Sequence, residues 1–215
     1  MNRSQRRSLK GKSKYQGLSV TIGVPSLEQG PMKFAMAFGA MMFYTGKHAP
    51  GIQIIIANKI QQPTDKSRRE IADIVESHKT DLLFSLDSDM VFPPDTLIRL
   101  IDEDKDIIGG NYARRDKLLE STAIGLDGQR LSPKEMGVVA VKGIGMGIVL
   151  IKRKVFERLD KPYFLFTHDP NKTPPDLSED FYFCNKARQA GFTVYCHGSL
   201  SRELVHTGYE EFKLP

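Results

Sequence analysis

Asp87 and Asp89, separated by Ser88, directly follow the apolar run Leu82-Leu83-Phe84-Ser85-Leu86. Carboxylates at i and i+2 can share one hard cation, Mn2+ or Mg2+, which keeps positions open for water and phosphate oxygens. The spacing alone decides little, because Asp102-Glu103-Asp104 and Asp104-Lys105-Asp106 repeat it. Position separates the three. A pair at a strand end lies at the carboxyl edge of a sheet, where open α/β folds bind ligands; the other two fall at a helix end and the turn after it. An ordinary acidic turn is the competing reading of Asp87-Ser88-Asp89. A second constellation is Ser178-Glu179-Asp180 at a helix start, where one carboxylate could act as a general base. Acids at a helix N-terminus are also favoured by the dipole and the free N–H groups, so a plain N-terminal turn explains them equally.

Of the five histidines, His48 and His78 sit near helix ends, His168 falls in a loop rich in Pro, Asn and Asp, and His197 ends an extended piece. His206 closes the last extended piece, before Thr207-Gly208, and a neutral imidazole there could complete a cation site. A purely structural histidine is its competing reading. Gly143, Gly145 and Gly147 follow a GxGxG spacing late in the chain, with no acid suitably placed after it, and so make no dinucleotide fingerprint. They fit a bulged strand or a close backbone approach to a sugar.

These residues need elements to place them. Residues 18–25 read as a buried first strand, Phe34 to Tyr44 as a helix apolar almost all round and so well buried, and Ile52 to Ala57 as a second strand covered on both faces. After a polar loop at 61–66, Ser67 caps a helix running to about His78. Asp81 to Leu86 is the third strand; Pro93 and Pro94 break the chain, and Asp95 caps the next helix. Ile107-Ile108 is a short strand ended by Gly109-Gly110. This alternation predicts right-handed βαβ units and an open, mostly parallel sheet flanked by helices, an α/β fold. From about residue 110 the pattern changes to a smaller β portion. It holds two short strands around the turn Asp127-Gly128, an extended or strand-to-helix stretch at Ile148 to Ile151, and a helix from Lys154 to Leu159. Residues 167–177 form a loop of the kind that closes over a ligand, Ser178 caps a helix from Glu179 to Gln189 ended by Gly191, and Phe192 to Cys196 and Glu203 to His206 are extended.

The chain has 215 residues and 40% hydrophobic content, enough for one sizeable core. We expect one domain over 18–215 behind a basic, disordered tail over 1–17. The formal charge of +5 is concentrated in that tail: Arg3, Arg6, Arg7, Lys10, Lys12 and Lys14 precede any acid, leaving 25 basic against 26 acidic residues in the remainder. A near-neutral body argues against a nucleic-acid partner; the tail reads as solvated chain or as a weak contact with anionic surfaces. Cys184 and Cys196 are too few for a disulfide framework or metal knuckle, and no apolar run approaches a membrane span, so a cytoplasmic location is expected.

Together the pieces resemble the GT-A-fold glycosyltransferases of the family-2-like type, especially short forms from phages and large viruses. The matching stretches run in the family's order: Val20 to Ser26; Ser67-Arg68-Arg69; Asp81 to Asp89 with Phe92-Pro93-Pro94; Ile108 to Tyr112; Gly143 to Arg153; Glu179-Asp180; and Val205-His206. The resemblance implies a nucleoside-diphosphate-sugar donor, UDP- or GDP-linked, a glycan or other hydroxyl acceptor, and a host-cytoplasmic location for a virus-encoded member. It makes Asp89 the main metal ligand, Asp87 a companion nearer the ribose or metal, and His206 the third protein contact. Pro25, Ser26 and Arg68 would line the nucleotide site together with Asp87 and Ser88, Gly145 and Met146 would border the sugar, and Asp180, with Glu179 beside it, would be the base of an inverting reaction. Two departures, Arg69 where Asn is common and Ala57-Asn58 where many members place an acid, leave the base unassigned. The alternatives are a sugar-nucleotide-forming nucleotidyltransferase, for which Pro25 to Gly30 lacks a basic triphosphate loop, and a non-catalytic nucleotide-sugar-binding module.

Overall fold

The computed structural model describes residues 14–115, 120–132, 134, 136–167, 177–207 and 211–212, the last two in backbone only. Strand β1 (Ser19–Ser26) runs parallel to β2 (Gln53–Ile60) on one side and to β3 (Leu82–Leu86) on the other. Helices α1 (Met32–His48) and α2 (Thr64–His78) make the two crossovers. They cover opposite faces, because alternate strand residues point opposite ways. Val20, Ile22 and Phe84 join Ala37 and Met41 of α1 in one core, while Leu83 and Ala57 join Ile71 and Val75 of α2 in the other.

Beyond β3 the sheet is mixed. Eight strands lie in the order β2-β1-β3-β8-β5-β9-β7-β6, built further from β5 (Ile107–Gly109), β6 (Ile124–Gly125), β7 (Val138–Gly143), β8 (Ile148–Lys152) and β9 (Val194–His197). β8 is antiparallel to both β3 and β5, β7 is antiparallel to β9 and β6 to β7, so the expected parallel order is confined to β1–β3 and to the β5–β9 pair. Ile148 to Ile151 are buried throughout, a pattern that a central strand gives in either direction, so burial did not reveal polarity. A second sheet holds β4 (Met90–Val91) and β11 (Glu211–Phe212) on either side of β10 (Val205–Thr207). The remaining helices are α3 (Thr96–Asp102), α4 (Arg153–Arg158), α5 (Glu179–Gln189) and α6 (Gly198–Ser201). Among the described residues no helix is long and apolar enough to cross a membrane.

Several local expectations are corrected. α1 buries only Ala37, Met41 and Thr45, and its other side stays open, because the single sheet beneath it covers one face. β2 is an edge strand, so Ile56 and Ile60 are half-exposed instead of covered twice. Ser67 is a buried residue inside α2, which begins three residues earlier behind Pro63; Asp95 and Ser178 stand at N-cap positions without a side-chain capping bond. Of residues 1–17, Tyr15 is buried with its hydroxyl donating to Asp102 and Lys14 pairs with the same carboxylate at 2.7 Å; residues 1–13 lie outside the described residues. The turn at Asp127-Gly128 forms as expected, with Gly128 at φ 84°, the left-handed region where glycine is at no steric disadvantage. The strand expected after it is a single bridge from Ile124 to Arg130, and β6 pairs with β7 instead.

Candidate functional site

The carboxyl ends of β3 and β5 open into a cleft of about 640 Å³. Its floor is organised by Arg68. α2 lies across the sheet face of β1–β3 and turns this side chain inward, so that only 3% of the residue is exposed. The guanidinium Nη1 donates to Ser85 Oγ and Nη2 to Asp87 Oδ1, both at 2.9 Å. Nε lies 3.4 Å from Glu179 Oε1 and 3.6 Å from Asp180 Oδ1. One cation therefore holds carboxylates from β3's end and from the first turn of α5, residues about a hundred apart in sequence. Burial acts against the Arg68 charge, and Asp87, Asp180 and Glu179 more than reverse it, so the group stays ionised.

The carboxylates respond in opposite directions. Burial lifts Asp87 above the usual carboxylate range despite Arg68, and Asp89 adds to the rise. Burial, then the Glu179 and Asp87 charges, lift Asp180 well above that range against the pull of Arg68. Asp180 Oδ1 is buried without a hydrogen-bond partner. Asp89 differs: burial works upward, but the His206 ring and Arg115 outweigh it and hold the carboxyl low.

Asp89 and His206 are brought together by the small sheet. In the antiparallel pairing of β4 and β10, His206 sits opposite Met90, and the backbone carbonyl of Asp89 accepts from Thr207 N at 2.8 Å and Thr207 Oγ1 at 2.7 Å. His206 Nδ1 lies 3.0 Å from the Ala113 carbonyl. A carbonyl only accepts, so Nδ1 carries the proton, and in the neutral ring Nε2 turns its lone pair toward Asp89 Oδ2, 3.4 Å away. A proton on Nε2 makes the contact an ion pair, the form in which the ring holds Asp89 low; a neutral ring would need a cation between the two atoms, and the Arg115 guanidinium meets the same Asp89 oxygen. Asp89 Oδ1 is likewise buried with no hydrogen-bond partner. This donor set suits a hard cation whose remaining positions are filled by ligand oxygens and water. Among the described residues no group of three or more His, Cys, Asp or Glu side chains is placed to hold a metal ion, and Arg115 Nη2 sits 2.9 Å from Asp89 Oδ2.

Tyr112 joins the two halves. Its hydroxyl accepts from Gly147 N at 2.9 Å, and Asp87 N donates to Gly147 O at 2.9 Å. The ring meets His206 edge-on at 5.2 Å. A Cβ on Gly145 or Gly147 would stand 2.7 or 2.5 Å from the Tyr112 hydroxyl oxygen, so both glycines are required by this ring. Gly143 makes the same allowance for Phe181. The GxGxG run thus admits aromatic side chains.

Arg68, Asp87, Gly145, Glu179, Asp180 and His206 line the cleft. Met146 does not: its side chain is fully buried in the core and its carbonyl accepts from Ser85 Oγ at 2.9 Å. Ser88 is half-buried in the turn, and Pro25 and Ser26 stand apart at the end of β1, where Ser26 Oγ donates to Asn58 Oδ1 at 2.8 Å. Residues 168–176 of the expected closing loop, His168 included, lie outside the described residues; its base is joined by a bridge between Thr167 and Leu177. Sequence reasoning missed Tyr112 as an organiser and the arginines Arg114, Arg115 and Arg130 on the cleft wall. The paired Arg114-Arg115 soon after β5 was the available signal.

No family model matches the chain, and no curated protein matches it in sequence. Among solved structures the chain is similar to A197 from STIV, with a TM-score of 0.59 and 19% identity over 92% of this chain and 94% of that one. It is also similar to a glycosyltransferase involved in the glycosylation of the major capsid of PBCV-1, with a TM-score of 0.36 and 13% identity over 73% of this chain and 71% of that one. The first likeness is one of fold alone; the second is too remote to bear weight.

Proposed function

We propose that the chain is a metal-dependent glycosyltransferase of GT-A type that moves a sugar from a nucleoside diphosphate to an acceptor hydroxyl with inversion. The observation that carries this reading is the convergence, at the carboxyl edge of the sheet, of two differently tuned acidic centres: His206 on the cleft wall with Asp89 3.4 Å behind it, and Asp180 beside Arg68 on the cleft floor. One suits a cation and its diphosphate, the other a proton.

Asp89 and His206 would hold Mn2+ or Mg2+, which supplies Lewis-acid neutralisation of the leaving diphosphate. Arg114, Arg115 and Arg130 add positive charge along the same wall. Pro25, Ser26 and Ser88 lie off the cleft lining, near the ends of β1 and β3, and would meet only a nucleotide that extends beyond the cleft along that edge. Asp180 accepts the proton of the acceptor hydroxyl as that hydroxyl's oxygen bonds to the anomeric carbon and the bond to the diphosphate breaks. A carboxylate with raised proton affinity is the better base for that step, and Arg68 keeps it oriented. Glu179 shares the same guanidinium and holds Arg68 between the two centres.

Calorimetry with UDP and GDP, with and without Mn2+, tests the cation centre: Asp89→Ala abolishes metal-dependent binding, and an unchanged isotherm sinks the assignment. Asp180→Asn separates the second centre, retaining donor binding while transfer falls by about 10²–10⁴-fold. NMR assignment of the product anomer completes the test, since a retained configuration removes Asp180 from its role.

A further inference from the structure

The outer face of α1 is apolar where a surface helix is ordinarily polar. Met32, Met36 and Phe43 are 75%, 69% and 77% exposed, and their spacing puts them on one stripe with Ala35, Gly39 and Ala40, exposed as well. Leu27, 73% exposed, lies just before the helix. Ala37, Met41 and Thr45 face the core on the opposite side, so this stripe does no work in folding. Contiguous exposed apolar surface of this kind marks an interaction site.

Charge indicates what covers it. No acid occurs between Gly30 and Gly51, while Lys33 and Lys47 are exposed on the flanks of the stripe. The basic segment also joins the body at this helix. Gly17 N donates to the carbonyl of Gly51 at 3.2 Å, three residues after α1 ends, so the described chain begins close to that end of the helix; Lys14 is paired with Asp102, and the sequence before it carries Arg3, Arg6, Arg7, Lys10 and Lys12.

We propose that the outer face of α1 docks on an anionic lipid bilayer, with Met32, Met36 and Phe43 entering the headgroup boundary and the basic segment lying on the charged surface. Apolar side chains with flanking lysines suit a helix lying in the interface plane, and a shallow apolar insertion needs a second, electrostatic signal to hold. The exposed stripe provides the first and the flanking basic residues the second. A second copy of the chain satisfies the apolar stripe but brings two basic segments together, whereas anionic lipid satisfies both features. This surface belongs to α1 and does not rest on the reading of the cleft.

Flotation of the full chain with vesicles tests the proposal, using phosphatidylcholine alone and phosphatidylcholine with about one-third phosphatidylserine. The protein floats with the anionic vesicles only, and added salt weakens the binding. The double variant Met36→Glu/Phe43→Glu, whose substitutions are on exposed positions and whose folding is checked by circular dichroism, loses about tenfold or more in vesicle affinity. Deletion of residues 2–13 loses a similar amount with α1 intact. Three results overturn the proposal: the wild-type chain staying unbound, the double variant floating as well as wild type, or light scattering showing a dimer that the double variant disperses.

Discussion

Arg68 is the only guanidinium among the described residues that touches both β3's acidic turn and the start of α5. Its replacement by Met would leave Asp87, Glu179 and Asp180 facing one another without a counter-charge. Removing one partner of a buried pair costs about 3–5 kcal/mol, and chemical denaturation of Arg68→Met is expected to show a loss of that order. Lys offers no fork for Ser85 and Asp87 together, so Arg68→Lys recovers part of the stability at most. Asp180 runs the other way. Its carboxyl is raised by burial and then by Glu179 and Asp87, from an unfolded value of about 3.9. From that value up to its folded one, the native state holds more protons, so this group's contribution to stability falls as pH rises and stays lost above. Asp180→Asn removes the cost. It should be about 1 kcal/mol more stable near neutral pH, about 2–4 °C in Tm, with a flatter pH profile in calorimetric scans. An unchanged profile would place the raised proton affinity elsewhere.

At the scale of elements, the glycine run and Tyr112 form one joint. Gly147→Ala puts a Cβ 2.5 Å from the Tyr112 hydroxyl oxygen and 3.2 Å from Asp87 Oδ2, and overpacking of this kind costs about 1–3 kcal/mol. Tyr112→Phe removes the acceptor of Gly147 N and costs a similar amount through an unsatisfied N–H. Combined, the phenyl ring removes the 2.5 Å contact but keeps its Cζ 2.8 Å from the new Cβ, so the relief is partial and the double variant loses only somewhat less than the two single losses added; thermal melts of all four proteins measure the coupling. What was legible in the sequence divides along the same line. β1 to β3 and their helices were readable because their signals are local: apolar runs, prolines and the 3–4 spacing of Ile71, Ile74 and Val75. The residues of the cleft were readable as types at strand ends and helix starts. Their partners were not. Nothing near Arg68 announces Glu179, nothing near Asp89 announces Arg115, and β8's insertion between β3 and β5 depends on pairing across some 40 to 70 residues of chain. The exposed stripe on α1 was misread because an apolar helix looks the same in sequence whether its second side meets protein or something else.

The molecule as a whole holds its thiols inside. Cys184 and Cys196 are both buried and form no disulfide, and burial pushes the Cys184 thiol up to about 12. Only a thiolate in contact with solvent reacts readily. Labelling by an aromatic disulfide reagent at neutral pH is therefore expected to be slow in the native protein and to rise with denaturant along the global unfolding curve. Fast labelling of one thiol in native buffer would instead reveal a local opening around α5 or β9.

The antiparallel β8 has a further consequence for how the chain is made. On the ribosome β1, β2 and β3 emerge first and have one another as neighbours, but β5 emerges before either strand that flanks it, β8 or β9. The exposed edge of β3 thus waits through the synthesis of residues 87–147 for its partner, and His206 reaches Asp89 only after the whole main sheet has been made. The chain completes the Asp89–His206 contact well after the β1–β3 floor, so a nascent chain stalled before residue 148 carries an open β3 edge prone to pairing with other strands.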